Sequence, residues 1–244
     1  MREGKIMAEE KGDAGRDDVL LSVVIPAYNE SATIRKVLSM VLKEPTEKEV
    51  IVVDDGSDDN TVGEVNSIDD ERVRLLRHER NLGKGAAVCT GFRAVRGRYV
   101  LIQDADLEYD PENYPALLDP VLTGRADIVY GSRFLGGPHR VLYFWHFLAN
   151  KLLTFWSNIY SNMNLSDMET GYKLFRREVV ENLELREKGF GIEPEITQKV
   201  GRGGWRIFEV PISYYGRTYE EGKKIGIRDA VWACWCVVRY AIRD

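Results

Sequence analysis

The chain is poor in the residues that most often build metal centres and disulfide frameworks, with three histidines and three cysteines in 244 residues. Cys89, Cys234 and Cys236 are odd in number and lack paired ligand spacing, so neither a disulfide scaffold nor a zinc site is expected, and a reducing compartment follows. His78, His139 and His146 are scattered and form no usable constellation. No apolar run reaches the roughly 18–20 residues of a clean membrane span. A P-loop motif, G-x-x-x-x-G-K-[ST], is missing, as is the G-x-S-x-G nucleophile elbow, and neither Ser132 nor Cys89 has an identifiable base. Basic charge is not in excess either. The formal net charge is -5 and the pI about 5.5, which argues against a nucleic-acid partner.

A hydrophobic content of 44%, including 10% aromatics, is ample for a buried core. Residues 1–20 are charged, lack the apolar centre of a signal peptide and read as a flexible leader. Leu21 to Pro26, Val50 to Val53, Arg72 to Arg77, Tyr99 to Gln103 and Asp127 to Tyr130 read as strands. Between them, helices are expected after a cap at Asn29 or Ser31 through Lys43, over Lys84 to Arg96 with a stop at Gly97, and over Glu112 to Thr123. Strands alternating with helices predict an α/β fold with a mostly parallel sheet covered on both faces, its ligands at the carboxyl ends of the strands. The later part is more mixed: an aromatic helix, the loop SDMETGYK, an acidic helix near Glu193, and a strand within Trp205 to Tyr214.

Four strand-end segments should then meet on one edge: PAYNE, VDDGSDD, DADLE and GSR. The third sets Asp104, Asp106 and Glu108 two residues apart directly after an apolar strand, where hard carboxylate oxygens suit a divalent cation and a phosphate-bearing ligand. NLGKGAAV has the G-x-G spacing of Gly83 and Gly85. It follows the third strand rather than the first and carries Val88 where a third glycine belongs, so it is no dinucleotide fingerprint. These glycines are expected to allow a tight turn into the helix, with Lys84 near the ligand.

As an ordered set, VVIPAYNE, VDDGSDDNT, NLGKGAAV, DADLEYDP, GSR and RTYEEGKK resemble the family 2 glycosyltransferases of the GT-A fold, most closely the polyprenyl-phosphate (dolichyl-phosphate) sugar synthases. The resemblance runs from about Leu21 to Ile227. It implies a nucleotide-binding part over 21–133 and an acceptor part over 134–227; helical spacing beyond it predicts a C-terminal amphipathic helix over 228–244. The resemblance further implies that Pro26, Ala27, Tyr28 and Glu30 border the base and ribose, that Val53 and Asp55 face the base, and that Asp104 and Ala105 follow the ribose and diphosphate. Asp106 and Glu108 would hold Mg or Mn. Arg133, Arg217 and Lys223 would lie against donor or acceptor phosphates. The implied reaction is an inverting transfer of a hexose from a nucleotide sugar to a polyprenyl phosphate.

Ile128 to Ser166 contains no Asp or Glu but carries Arg133, Arg140 and Lys151. Inside it, His146, Asn150, Thr154, Ser157 and Ser161 fall on one helix face, and Tyr143, Phe144, Phe147, Leu148, Leu152, Phe155, Trp156 and Ile159 cover the rest. This helix either lies on an anionic membrane surface or is buried in the core. Trp232, Trp235, Val238 and Ile242 recur similarly near the C-terminus, and docking on the domain is expected there ahead of lipid contact. Attachment to the cytoplasmic face of a membrane would then be peripheral or supplied by a membrane-embedded partner subunit. Asp167, Glu169 and Lys173 are expected at the acceptor, with Arg176 or Arg177 also able to approach a phosphate. Glu169 or Asp167 would be the base for an alcohol acceptor, whereas a lipid phosphate needs cations more than proton removal. Two alternatives stay open: transfer to a sugar or protein hydroxyl, and a noncatalytic nucleotide-sugar-binding subunit.

Overall fold

The apolar run at Leu21–Ala27 (β1) is buried on both faces, with Val23 and Ile25 in one half of the core and Val24 in the other. That burial is possible only for a strand near the centre of a layered sheet. The structure, a computed structural model, describes residues 19–141, 143–218 and 227–242. Residues 1–18 of the expected leader, Lys223, Lys224 and Arg243 lie outside them. The chain continues through α1 (Ile34–Lys43), β2 (Lys48–Asp54), α2 (Thr61–Asn66), β3 (Val73–Arg77), α3 (Lys84–Phe92) and β4 (Tyr99–Ile102). Then come α4 (Tyr114–Leu122), β5 (Ile128–Ser132), α5 (Phe144–Ser161), β6 (Lys173–Arg176) and α6 (Arg177–Glu181). The last elements are α7 (Ile192–Arg202), β7 (Ile207–Pro211) and α8 (Ile227–Ile242).

The seven strands form one sheet in the order β3-β2-β1-β4-β6-β5-β7. All neighbours are parallel except β6, which runs antiparallel to both β4 and β5. The carboxyl ends of β1, β2, β4 and β5 therefore share an edge, as expected. Strand β6 was not expected. Its reversal delivers the preceding loop, with Asp167 and Glu169, to that same edge, and sends Arg176 to the opposite one.

Helix α3 is shorter than its sequence suggests. The N–H groups of Arg96 and Gly97 donate to Ser22 Oγ at 3.2 and 2.8 Å, and Arg96 also donates to Glu49 Oε1 at 2.6 Å. These side-chain acceptors draw the backbone out of the helix and into β4. A Cβ on Gly97 would meet Ser22 N at 2.6 Å.

Two helices show an inverted polarity. On α5 the buried positions include Thr154, Ser157 and Ser161, whereas Phe144, Trp145, Phe155 and Ile159 are exposed. Thr154 Oγ1 accepts from Met168 N, and Gln198 donates to Ser157 Oγ at 2.9 Å. The polar stripe thus docks on the protein and the aromatic face looks outward, so α5 is not a helix buried in the core. On α8 the docking face is Ala233, Cys236, Val237 and Tyr240; Trp232 and Trp235, expected to dock, are about half exposed. No described helix is long and apolar enough to cross a bilayer.

Directly after β4, the fully buried Gln103 accepts from Tyr114 OH at 3.0 Å and Tyr172 OH at 2.6 Å through one oxygen. Gln103→Leu leaves both phenol donors unpaired in the core. We expect a loss of about 2–4 kcal/mol in urea unfolding, since each stranded buried donor costs ~1–3 kcal/mol; an unchanged midpoint would show that the phenols find other partners.

Candidate active site

The strand-end loops are braced against one another. Asn29, with φ 53°, takes the left-handed conformation that a short amide tolerates, and its Oδ1 accepts from Asp58 N. Glu30 N donates to Thr61 Oγ1 and Ser31 N to Asp59 Oδ2. PAYNE and DDGSDD thus form one wall of a cleft of about 1270 Å³, lined also by Asp55, Lys84, Asp104, Ala105, Asp106, Glu108, Arg133, Glu169 and Arg217. Pro26, Ala27, Tyr28 and Glu30 line it as expected. Val53 does not: its side chain is fully buried with Ile51 and Ala87. Even spacing along β2 puts it on the face that packs under α3, so the expected contact with a base is corrected.

Asp55 reaches the cleft, but its carboxylate already accepts from Leu82 N at 2.9 Å, Gly83 N at 2.7 Å and His78 Nδ1 at 2.6 Å. His78 Nε2 exchanges a second hydrogen bond with Thr90 Oγ1 at 2.9 Å. The histidine dismissed from sequence is therefore part of the scaffold that holds the NLGKG turn. That turn has a further cause. A Cβ on Gly83 or Gly85 would fall 2.3 Å from Lys188 O or 2.2 Å from Glu187 O. Both glycines make room for the segment that leads into α7, which places Glu193 beside Lys84.

Lys84 ammonium is shared by Asp104 Oδ1 at 2.8 Å and Glu193 Oε1 at 2.9 Å. Although burial works against its charge, these two acids raise its pKa well above the ordinary lysine value. Asp104 also requires Gly171, where a Cβ would lie 2.2 Å from its Oδ2. Arg217 gathers the remaining acids: Nη2 donates to Asp106 Oδ2 at 2.7 Å, Nε and the backbone N–H donate to Glu108 Oε1, and Glu30 lies 3.8 Å away. Tyr214 OH donates to Glu108 Oε2 at 2.7 Å. Burial, Asp104 and Glu108 push the Asp106 carboxyl up to about 7, against the opposing pull of Arg217.

On the other wall, Arg133 grips the buried Asp167 with two parallel hydrogen bonds, Nε to Oδ2 at 2.6 Å and Nη2 to Oδ1 at 2.7 Å. Asp167 is thereby removed as a base. Glu169 has one oxygen, Oε1, that is buried without a partner among the described residues. Burial first, then the nearby Glu193, push its carboxyl up to about 8. Lys173, fully buried, donates to the carbonyls of Met168 and Thr170, and burial depresses its pKa. Lys173 therefore holds the loop rather than facing the cleft. Arg176 and Arg177 are also corrected: they bind Asp127 and the Arg96 carbonyl at the far edge, because β6 is antiparallel. Farther along the cleft, Lys151 donates to Ser166 O at 3.0 Å and sits 4.3 Å from the Phe134 ring centre.

Asp106 and Glu108 already converge on one cation, the Arg217 guanidinium, and hard oxygen donors of this kind fit Mg or Mn. Among the described residues no three such side chains form a ready metal cage, so a diphosphate would have to supply further oxygens. Glu193 and Tyr214 were missed from sequence as site residues. The signal for Glu193 was the IEPE run opening α7, which reads equally well as acids favoured at a helix start.

An acidic pair after the central strand of a mostly parallel sheet, in a cleft lined also by a later arginine paired to both acids, is the arrangement of a sugar transferase of the GT-A type. Glucosyl-3-phosphoglycerate synthase from Mycobacterium tuberculosis, solved with Mn2+, uridine-diphosphate and phosphoglyceric acid, shares the fold. Its TM-score is 0.71 at 20% identity, covering 92% of this chain and 79% of that one. A family model for glycosyl transferase family 2 matches residues 22–184. The chain is 34% identical to an undecaprenyl-phosphate mannosyltransferase of Micrococcus luteus, over 83% of its own length and 86% of the relative's. It is 31% identical to a polyprenol monophosphomannose synthase of Mycolicibacterium smegmatis, over 93% and 92%. The chain belongs to glycosyl transferase family 2 and is an enzyme of the hexosyltransferase class.

Because Glu169 keeps its proton up to about pH 8 when folded, against an ordinary value of 4.5, the folded state binds more protons than the unfolded one between those values. Its contribution to stability therefore falls as pH rises through that window. Calorimetry should find that the Tm of Glu169→Gln declines less than wild type between about pH 5 and about pH 8. Parallel declines would mean that Glu169 is ionised in the folded protein.

Proposed function

We propose that the enzyme transfers a hexose from a nucleotide sugar, of the GDP-mannose or UDP-glucose type, to a polyprenyl phosphate of the dolichyl or undecaprenyl kind. The observation that carries this reading is the mixed lining of the cleft. It combines Asp104, Asp106 and Glu108 with Lys151 and the first aromatic residues of α5. Lys151 and those aromatics belong to a segment without any acid. An anionic headgroup on an apolar chain fits beside Lys151, and a donor diphosphate fits beside the acids. The two similar mannosyltransferases, whose names carry polyprenol or undecaprenyl phosphate, support the same acceptor.

In this reading Asp106 and Glu108 hold Mg or Mn, which when bound neutralises charge accumulating on the departing diphosphate. Asp104 and Ala105 flank the ribose and diphosphate, and Arg217 supplies a second positive charge. An acceptor phosphate oxygen forms its bond to the anomeric carbon on the face opposite the nucleoside diphosphate, as the bond to that leaving group breaks. Configuration inverts in this single displacement. A phosphate oxygen is already anionic, so the reaction needs no base. That agrees with a Glu169 kept neutral and an Asp167 tied to Arg133.

The outward aromatic face of α5, joined by Trp232 and Trp235 of α8, supports peripheral attachment to the cytoplasmic face of a membrane. Such a position would let an isoprenoid phosphate enter the cleft without leaving the bilayer.

A panel of nucleotide sugars, incubated with the protein, Mg or Mn and a short polyprenyl phosphate, should give one hexosyl phospholipid by mass spectrometry. Asp106→Asn should lower turnover at least about a hundredfold, as for loss of a group that stabilises transition-state charge. No product from any donor would sink the assignment, as would a fully active Asp106→Asn. Separately, the protein should float with anionic liposomes, and replacing Phe155 and Trp156 together by serine should reduce the bound fraction about tenfold or more. Equal flotation of both proteins would rule out this face as the attachment surface.

A further inference from the structure

Glu193 stands in the first turn of α7 with only 7% of its surface exposed. One oxygen accepts from Lys84 at 2.9 Å. The other, Oε2, is buried and has no partner among the described residues, although the residue lines the cleft. Glu169 repeats the pattern with its unpartnered Oε1. Buried polar atoms are nearly always paired within a protein, so two such atoms in one cleft mark where a ligand supplies the partner.

Their position relative to the donor follows from Lys84. Its ammonium joins Glu193 to Asp104, the first acid of the DADLE segment. A ligand whose diphosphate lies along Asp104 to Asp106 therefore carries its next group toward Glu193. We infer that Glu193 and Glu169 form the subsite for the hydroxyls of the donor's sugar ring and restrict the donor to neutral hexoses. The inference rests on the nucleotide-sugar reading above.

The chemistry of the pair suits a polyol. Glu193, held by Lys84, accepts a hydrogen bond. Glu169, kept protonated by burial and by Glu193 itself, donates one through its acid O–H. A sugar hydroxyl both donates and accepts, so adjacent hydroxyls satisfy the two groups together. A hexuronate would bring a third carboxylate to the same place, and like charge in a buried site is strongly unfavourable. Neither glutamate is engaged by Arg217, which serves Asp106 and Glu108.

Binding to the purified full chain with Mn, measured by calorimetry, separates sugar from nucleotide: GDP against GDP-mannose and UDP against UDP-glucose. In Glu193→Gln affinity for the preferred nucleotide sugar should fall about tenfold to a hundredfold, the range for a hydrogen bond to a charged group, and in Glu169→Ala, which removes a neutral donor, about threefold to tenfold. Affinity for the matching nucleoside diphosphate should stay within about twofold. Equal losses for both ligands would place the effect on Lys84 and Asp104 and overturn the subsite; so would undiminished binding of the nucleotide sugar. Should a variant fail to fold, wild-type protein suffices: UDP-glucuronate should bind at least about tenfold more weakly than UDP-glucose, and equal affinity would reject the pair as a filter. A wild-type protein that binds no nucleoside diphosphate would remove the donor reading itself, a result distinct from variants that bind it normally.

Discussion

A single, largely enclosed ammonium joins the two halves of the candidate site. Lys84 is the first residue of α3, where the helix dipole disfavours a cation, and the first turn of that helix contains no acid. Asp104 from the end of β4 and Glu193 from the start of α7 supply the missing negative charge. Removing one partner would leave the others charged and poorly solvated. The triad therefore fixes β4, α3 and α7 relative to one another. It can close only because Gly83 and Gly85 let the 187–188 backbone approach the start of α3. The glycines expected to allow a tight turn into α3 are thus also the means of bringing α7 to the sheet.

Helix α5 meets the opposite requirement. Its polar stripe is consumed by hydrogen bonds to the protein, with Asn158 bonded to both the N–H and the carbonyl of Leu165, and Lys151 to Ser166. The aromatic face left outside is much larger than the scattered apolar exposure normal for a folded domain. Reversing the helix would strand four or more polar groups without partners, so the arrangement is held from within. The outward face is a consequence of that inner network, available to an apolar environment without being needed for folding.

The parallel part of the fold was legible because strands buried on both faces must be continuous apolar runs, and β1, β2, β4 and β5 are. Their ends were legible because polar or turn-forming residues follow each run: Asn29 and Glu30 after β1, Asp55 and Gly56 after β2, Asp104 after β4 and Arg133 after β5. Strand β6 was hidden for a physical reason. It is four residues long, begins with a buried lysine and ends with an arginine, and its hydrogen bonds to β4 and β5 come wholly from distant sequence. The roles of Arg133, Asp167 and Arg176 all turn on that strand: the first two meet on one wall of the cleft, and the third is carried away from it. Val53 was misassigned by a single step of strand alternation. Glu193 escaped because its acidity already had a local explanation at a helix start, and only the closure of the Lys84 triad gives it another.

The cleft sorts charge along its length. Near β4 its acids outnumber its cations, and Arg217 and Lys84 are each shared by more than one carboxylate. Such sharing leaves the acids able to accept a further cation without an uncompensated charge being created when the guanidinium shifts. Past Glu169 the balance changes: Arg133 is matched by one aspartate, while Lys151 is held by a carbonyl and aromatic faces rather than by an acid. Neither a carbonyl nor a ring carries a charge that would offset that of an ammonium. In the proposed reaction, a molecule that is anionic at one point and apolar beyond it is matched by Lys151 and the aromatic residues of α5, and a diphosphate with its cation by Asp106 and Glu108. The order in which acids and cations occur along the sequence then gives the two anionic substrates different places in one cleft.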